Sequence, residues 1–350
     1  MNHVTHNPPP ARIESEEQLD ALLSEPTPLA IETLAKFGGD LILLGVAGKM
    51  GPTLARMAKR AFDVAGMRHR VIGVSRFSTA GSEAQFHAHG IETIRCDLLD
   101  ETAVRQLPEA PNVIYMAGMK FGSTGQEATT WAMNSYLPGI VCERYRRSRM
   151  VAFSTGNIYG LVPVNSGGSL ETDAPNPVGE YAMSCLGRER VLEYFSPKAG
   201  IPMAIIRLNY ACELRYGVLV DVAQQIFAGQ PVDVSMGYLN TIWQADANAM
   251  TLCAFAQAQS PACFVNLTGP ELVRVRDVAE RFGRLLNQPV TLRGSEAANA
   301  LLSNASKTLE RYGQPRVSVE QLTAWIADWV GRGGRSLGKP THFESRDGKF

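Results

Sequence analysis

Three glycines, Gly45, Gly48 and Gly51, stand between an apolar run, Leu41-Ile-Leu-Leu44, and a stretch from Pro52 to about Ala65 that reads as a helix. At such a turn the chain must reverse sharply, bring bare backbone against a ligand and pack helix on strand, and glycine suits all three demands. The helix start adds N–H donors and the positive end of a dipole, so the chemistry this spacing favours is pyrophosphate binding. Lys49 and Met50 lie inside the turn and belong to the same candidate site; a purely structural turn is the plainer reading. The next apolar run, Val71-Ile-Gly-Val74, ends in Ser75-Arg76. An acidic residue there would hold the adenosine ribose hydroxyls of NAD, whereas Arg76 suits the 2′-phosphate of NADP or is simply a solvated cation.

These residues need a scaffold, and the sequence supplies its grammar. After Leu41 come Val71–Val74, Ile91–Ile94, Val113–Met116, Met150–Ser154 and Met203–Arg207, short apolar runs mostly separated by helix-forming stretches. Continuous apolar strands flanked by helices predict an α/β fold, a Rossmann-type doubly wound parallel sheet. The organisation expected is an arm and helical extension over 1–39, a dinucleotide-binding domain over 40–209, a smaller C-terminal substrate-binding part over 210–330 and a tail over 331–350. A strand near 264–268 should return to the sheet. In the extension, Ser15 and Gln18 suggest a capping box, and a second helix should run from Pro28 to Phe37, ending at Gly38-Gly39. Both helices read as a lid or interface element. Further helices are expected over 218–228, 247–258 and 275–286, and the tail is expected to wrap over the surface.

With 45% hydrophobic and 19% charged residues the chain has ample material for a large core, which excludes disorder over most of its length. Lys plus Arg and Asp plus Glu each number 34, so there is no broad cationic face and no nucleic-acid partner is expected. No apolar run is long enough for a membrane span, and the first ten residues lack the apolar segment of a secretion signal. The 6 cysteines include no C-x-x-C pair, which suits reduced thiols and a cytoplasmic protein, and the His residues complete no metal set.

Taken in order, the landmarks resemble the extended short-chain dehydrogenase/reductases, in particular the NAD-dependent epimerase/dehydratase family. The glycine turn matches G-x-x-G-x-x-G, Asp97-Leu98 the pair that contacts adenine in relatives, and Tyr115-Met-Ala117-Gly118 the fourth-strand end that lines the cofactor. Trp131-Ala-Met-Asn134 matches the asparagine-bearing helix behind it. Phe153-Ser-Thr155 through Gly160 is similar to the S-[ST]-x-x-V-Y-G segment, in which Thr155 takes the place of the substrate-binding hydroxyl. Tyr181-Ala-Met-Ser184 matches the start of the Y-x-x-S-K helix, and Arg207-Leu-Asn209 and Asn266-Leu-Thr-Gly269 fit later landmarks. The resemblance implies hydride transfer through NAD or NADP, with Tyr181 as acid/base, Thr155 orienting the reacting oxygen and Asn134 supporting the site. It also implies a homodimer formed through helices near 127–146 and 179–195.

The pattern breaks where the family has its catalytic lysine, because that position is Cys185. A free tyrosine has a pKa near ~10, so a missing cation matters; a neutral thiol supplies no charge, and a thiolate would raise the tyrosine further. Tyr194 and Lys198 have the right mutual spacing, but they lie too far beyond Thr155, and Pro197 should break their helix. Two cations are candidates for the vacancy: Lys120, in the loop after Ala117-Gly118, and Arg188, on the same helix face as Tyr181. A solvated charge or surface ion pair is the plainer reading of each. A second break concerns the substrate. The arginine that grips the diphosphate in nucleotide-sugar enzymes falls here on Leu239, leaving Arg215 or Arg274 as substitutes. The expected substrate is therefore a sugar, sugar acid or nucleotide sugar, acted on by an epimerase, dehydratase or reductase. A cofactor-binding sensor or scaffold that has lost efficient catalysis is the alternative that Cys185 raises.

Overall fold

In the computed structural model, which describes residues 9–348 except Phe121 and Ser123, seven strands form one sheet. They are Leu41–Leu44 (β1), Val71–Ser75 (β2), Glu92–Arg95 (β3), Asn112–Tyr115 (β4), Arg149–Thr155 (β5), Met203–Leu208 (β6) and Cys263–Leu267 (β7). Their order is β7-β6-β5-β4-β1-β2-β3, and all neighbours are parallel. This is the doubly wound Rossmann-type fold. The chain winds outward from β1 in one direction and from β4 in the other, so a crevice opens beyond the carboxyl ends of these two strands. Strand β1 shows why: all four of its residues are buried, with Leu41 and Leu43 in the core on one sheet face and Ile42 and Leu44 in the core on the other. Only a sheet covered on both sides asks for such a run. At the edge, β3 carries exposed Glu92 and Arg95 and begins one residue later than its apolar pattern suggests.

The two N-terminal helices, Glu16–Leu23 (α1) and Pro28–Phe37 (α2), are not a lid. Leu19, Leu23, Ala30 and Leu34 are buried in the larger core, and both helices pack on Gly51–Val64 (α3) and on the helix Gln244–Cys253. Arg215 ties α1 to the C-terminal part through Glu16 (3.2 Å) and Asp20 (2.7 Å). The capping box is half formed: the Ser15 hydroxyl accepts from the Gln18 N–H, but the Gln18 side chain accepts from Glu14 rather than from Ser15.

The helix Gly179–Ala199, here called the Tyr181 helix, runs through Pro197 without breaking. Pro197 sits in the last turn, where little helix remains to be disrupted. Tyr194 and Lys198 do pair, at 2.8 Å, but on an exposed surface away from the crevice. The segment expected as one helix over 127–146 is a helix Glu127–Trp131, a π-turn Ala132–Tyr136 and a second helix Leu137–Arg144. Helices Val218–Phe227, Val275–Leu286 and Val319–Gly331 pack together as the C-terminal part, and Gln244–Cys253 begins three residues earlier than expected. The tail is more than a surface wrap. Thr341 and Phe343 are buried, the Thr341 N–H donates to the Asp221 carboxylate at 2.7 Å, and Gly348 comes against Val178 and Gly179 at the start of the Tyr181 helix.

Candidate active site

The glycine turn lies at the crevice mouth, and its three glycines are there for different reasons. Gly45 has φ +93°, and a Cβ on it would stand 2.7 Å from the Ala117 backbone. Gly51 lies directly under the Val46 carbonyl, where a Cβ would overlap it. Gly48 has neither constraint: a Cβ would meet nothing nearer than 3.5 Å. Nothing in the protein itself demands glycine there, as expected where bare backbone is kept for a ligand at a helix start. The residues present therefore fit a dinucleotide pyrophosphate.

Six further predicted cofactor residues lie at the carboxyl ends of β2, β3 and β4. Ser75 ends β2 and Arg76 follows it, exposed; Asp97 is exposed with Leu98 buried beneath it; Ala117 is buried and Gly118 exposed beyond β4. Met50 packs partly on the core at the start of α3. Lys49 leaves the glycine turn towards the C-terminal part, its ammonium 3.2 Å from the centroid of the Tyr216 ring. Burial, together with the charges of Lys120 and Lys339, pushes Lys49 down to about 6, while Asp221 opposes the shift.

Asn134 is fully buried in the π-turn and organises the loop beyond β4. Its Oδ1 accepts from the Met119 N–H at 2.9 Å, and its Nδ2 donates to the Met119 carbonyl and the Ser184 hydroxyl, both at 2.9 Å. A π-turn widens the helix locally and is common at functional sites. Thr155 ends β5, and Tyr181 stands on the first turn of its helix with its hydroxyl in hydrogen-bonding reach of Thr155 and of the Cys185 thiol. The structure thus brings together the hydroxyl pair that the sequence places far apart. Burial drives the Tyr181 phenol well above its ordinary range, with Cys185 adding to the rise, while Arg188 and the Thr155 hydrogen bond pull it back. The Lys120 ammonium lies 5.7 Å from the Tyr181 ring centroid, and burial pushes it down to about 8.

Several partners lacked a clear sequence signal. Asn157 holds Thr155, donating from its N–H (3.2 Å) and its side-chain amide (2.9 Å) to the Thr155 hydroxyl. The spacing of two residues is that of a side-chain turn, which a closer reading would flag. Tyr216, Asp221 and the tail approach the site through tertiary packing alone. The two substitutes for the missing diphosphate arginine are both engaged: Arg215 with Glu213, Glu16 and Asp20, and Arg274 with Glu296 at 2.7 Å. Leu239 is buried.

Comparison with known proteins agrees with this architecture. A UDP-glucuronic acid 4-epimerase from Bacillus cereus, in complex with UDP-glucuronic acid and NAD, superposes with a TM-score of 0.68 at 16% identity, over 84% of this chain and 99% of its own. The dTDP-glucose 4,6-dehydratase DesIV from Streptomyces venezuelae, with NAD bound, gives 0.70 at 16% identity over 84% of this chain and 97% of its own. Pal from Bacillus thuringiensis gives 0.69 at 17% identity over 84% and 99%. At these identities the likeness is one of fold. No curated protein matches the sequence. No helix among the described residues is long and apolar enough to cross a membrane. Residues 41–212, from β1 to just past β6, match the sequence profile of the NAD dependent epimerase/dehydratase family.

Proposed function

We propose that the protein is an NAD(P)-dependent enzyme that epimerises, dehydrates or reduces a carbohydrate-like substrate. The observation that carries this reading is the Tyr181 hydroxyl set against Thr155 at the end of β5, beside a crevice whose glycine turn leaves backbone open at Gly48. Gly45, Gly48 and Gly51 with the start of α3 would hold the pyrophosphate, Asp97 and Leu98 the adenine side, and Ala117, Gly118 and Asn134 the far end. When bound, the cofactor supplies the hydride acceptor and donor. The protein's part is to fix geometry and move a proton. Thr155, held by Asn157, orients the substrate oxygen; Tyr181 takes or gives the hydroxyl proton; Lys120, over the face of the Tyr181 ring, presents its charge to the substrate side of the cleft.

Arg76, exposed at the end of β2, favours NADP over NAD. Five of six free cysteines are buried, which suits a reducing, cytoplasmic setting. Trp131, Tyr136, Met183 and Tyr194, exposed on the Asn134 and Tyr181 helices, suit a homodimer across these helices. Two of the similar folds, the UDP-glucuronic acid 4-epimerase and the dTDP-glucose 4,6-dehydratase, are named for nucleotide sugars, so these belong in the substrate panel. Leu239 and the prior engagement of Arg215 and Arg274 argue equally for sugars and sugar acids that carry no diphosphate.

The test is calorimetric titration with NADPH and NADH, followed by turnover on a panel of nucleotide sugars, sugar acids and ketoses. NADPH should bind more tightly than NADH. Tyr181→Phe should keep cofactor affinity and lower turnover by about 10²–10⁴-fold. No binding of either coenzyme, or turnover indifferent to Tyr181→Phe, overturns the reading. Binding without turnover on any panel member would favour a sensor.

A further inference from the structure

We propose that Arg188 is a positioning residue that acts on Tyr181 through its charge, supplying from two turns further along the helix the cation that position 185 lacks. The proposal rests on the catalytic reading of Tyr181 given above. A buried phenol is driven towards its neutral form, so one that must exchange a proton near neutral pH needs a positive charge fixed close by.

Arg188 is fixed to an unusual degree. It is 5% exposed, and its guanidinium donates to the Phe153 carbonyl at 2.8 Å, to Asn134 Oδ1 at 2.7 Å and to the Asn134 carbonyl at 3.4 Å. It is thereby pinned between β5 and the π-turn, with its centre 5.6 Å from the Tyr115 ring of β4. Gly118 makes room for it: a Cβ there would overlap Arg188 Nη2 and stand 2.9 Å from Asn134 Oδ1. The backbone at Gly118 is not left-handed, so the conformation does not require glycine. The guanidinium does.

The acceptors that hold Arg188 are all neutral, so its charge is not cancelled where it is bound. The nearest carboxylate along the helix, Glu189, is engaged by Arg207 at 2.8 Å. The groups that face the Arg188–Tyr181 pair are Tyr115 from β4, Cys185 and Glu189 from the same helix, Thr155 from β5 and Lys120 from the loop after β4. Arg188 is locked by backbone and amide dipoles, and a charge so fixed sets an acidity in advance.

The experiment is the pH profile of turnover, with cofactor affinity measured in parallel, for the wild-type protein, Arg188→Gln and Arg188→Lys. Glutamine keeps a donor for Asn134 and removes the charge. Arg188→Gln should move the midpoint assigned to Tyr181 upward, lowering turnover at neutral pH about tenfold for each unit moved. The alkaline plateau and the cofactor affinity should hold, and Arg188→Lys should return the midpoint towards the wild-type value. A lowered plateau with an unmoved midpoint means that Arg188 is only structural and overturns the proposal. Should Arg188→Gln not fold, Gly118→Ala carries the test, because it displaces the guanidinium while retaining it. Its midpoint should rise too, and an unmoved one is equally fatal. A wild-type protein that turns over nothing defeats the catalytic reading and this proposal together; an active one whose profile ignores Arg188 defeats the proposal alone.

Discussion

Two buried arginines, Arg188 on the Tyr181 helix and Arg207 on β6, are treated in opposite ways. Arg207, on β6, meets Glu189 at 2.8 and 3.1 Å, the Tyr159 hydroxyl at 2.7 Å and the Glu171 carbonyl at 3.0 Å. Glu189 also accepts from Ser154 at 2.5 Å, and Tyr159 donates to Asn266 at 2.8 Å. That network neutralises its own charge and joins the helix to β5, β6 and β7. Arg188 is equally buried but is bonded to neutral acceptors only. The comparison separates architecture from chemistry: a cation matched by a carboxylate has little field left to exert, whereas one held by dipoles projects it onto its neighbours.

The comparison breaks most sharply at Glu189. Glu189→Ala leaves Arg207 buried without its carboxylate and should cost about 3–5 kcal/mol of stability, read as a fall in the denaturant midpoint. If that loss is absent, Arg207 is not dependent on its partner and the contrast with Arg188 fails. The Tyr181→Phe variant probes the other side, since it should leave that midpoint almost unchanged while turnover collapses.

Gly118→Ala sharpens the contrast at smaller amplitude. Inserting a methyl group against a pinned guanidinium is an overpacking change, with an expected cost of about 1–3 kcal/mol. Combining it with Arg188→Gln should recover part of that loss, because the shorter side chain vacates the space. Additive losses in the double variant would show that the two residues do not share one site.

The outline of this site was legible in the sequence where local rules act. The glycine turn, the continuous apolar strands and the start of the Tyr181 helix are each specified within a few residues, and the sheet then brings Thr155 and Tyr181 together. What could not be read depends on packing between distant segments. The α1 and α2 helices looked detachable because they precede the first strand, yet Leu19, Leu23 and Leu34 lie in the main core. Pro197 looked like a helix breaker because its effect depends on how many turns follow it. Arg188 was visible as a residue on the right face, but its significance lies in a glycine 70 positions earlier, and only the fold shows that the two share space. The tail offered no periodic pattern at all; Thr341 and Phe343 are buried by what they meet, not by their own sequence.

Lys49 extends the comparison to a third cation, held next to the glycine turn against the Tyr216 ring. Its neighbours Lys120 and Lys339 carry the same sign, and with burial they lower it to about 6. An unfolded lysine titrates near ~10.4. Between these two values the unfolded chain therefore binds one proton more than the folded chain at this position, and stability must rise with pH across that window. Below it both states are charged and the full cost of burying the ammonium remains. Lys49→Met should remove that slope, so the variant gains most over wild type near the acid end of the window and the gain shrinks as pH rises. Denaturant midpoints of both proteins across the window read this directly. Adding NADPH supplies a pyrophosphate beside the ammonium, which should restore its proton and flatten the wild-type slope. A slope unaffected by both Lys49→Met and coenzyme would place the titrating group elsewhere, and would separate Lys49 from the anion site that the glycine turn describes.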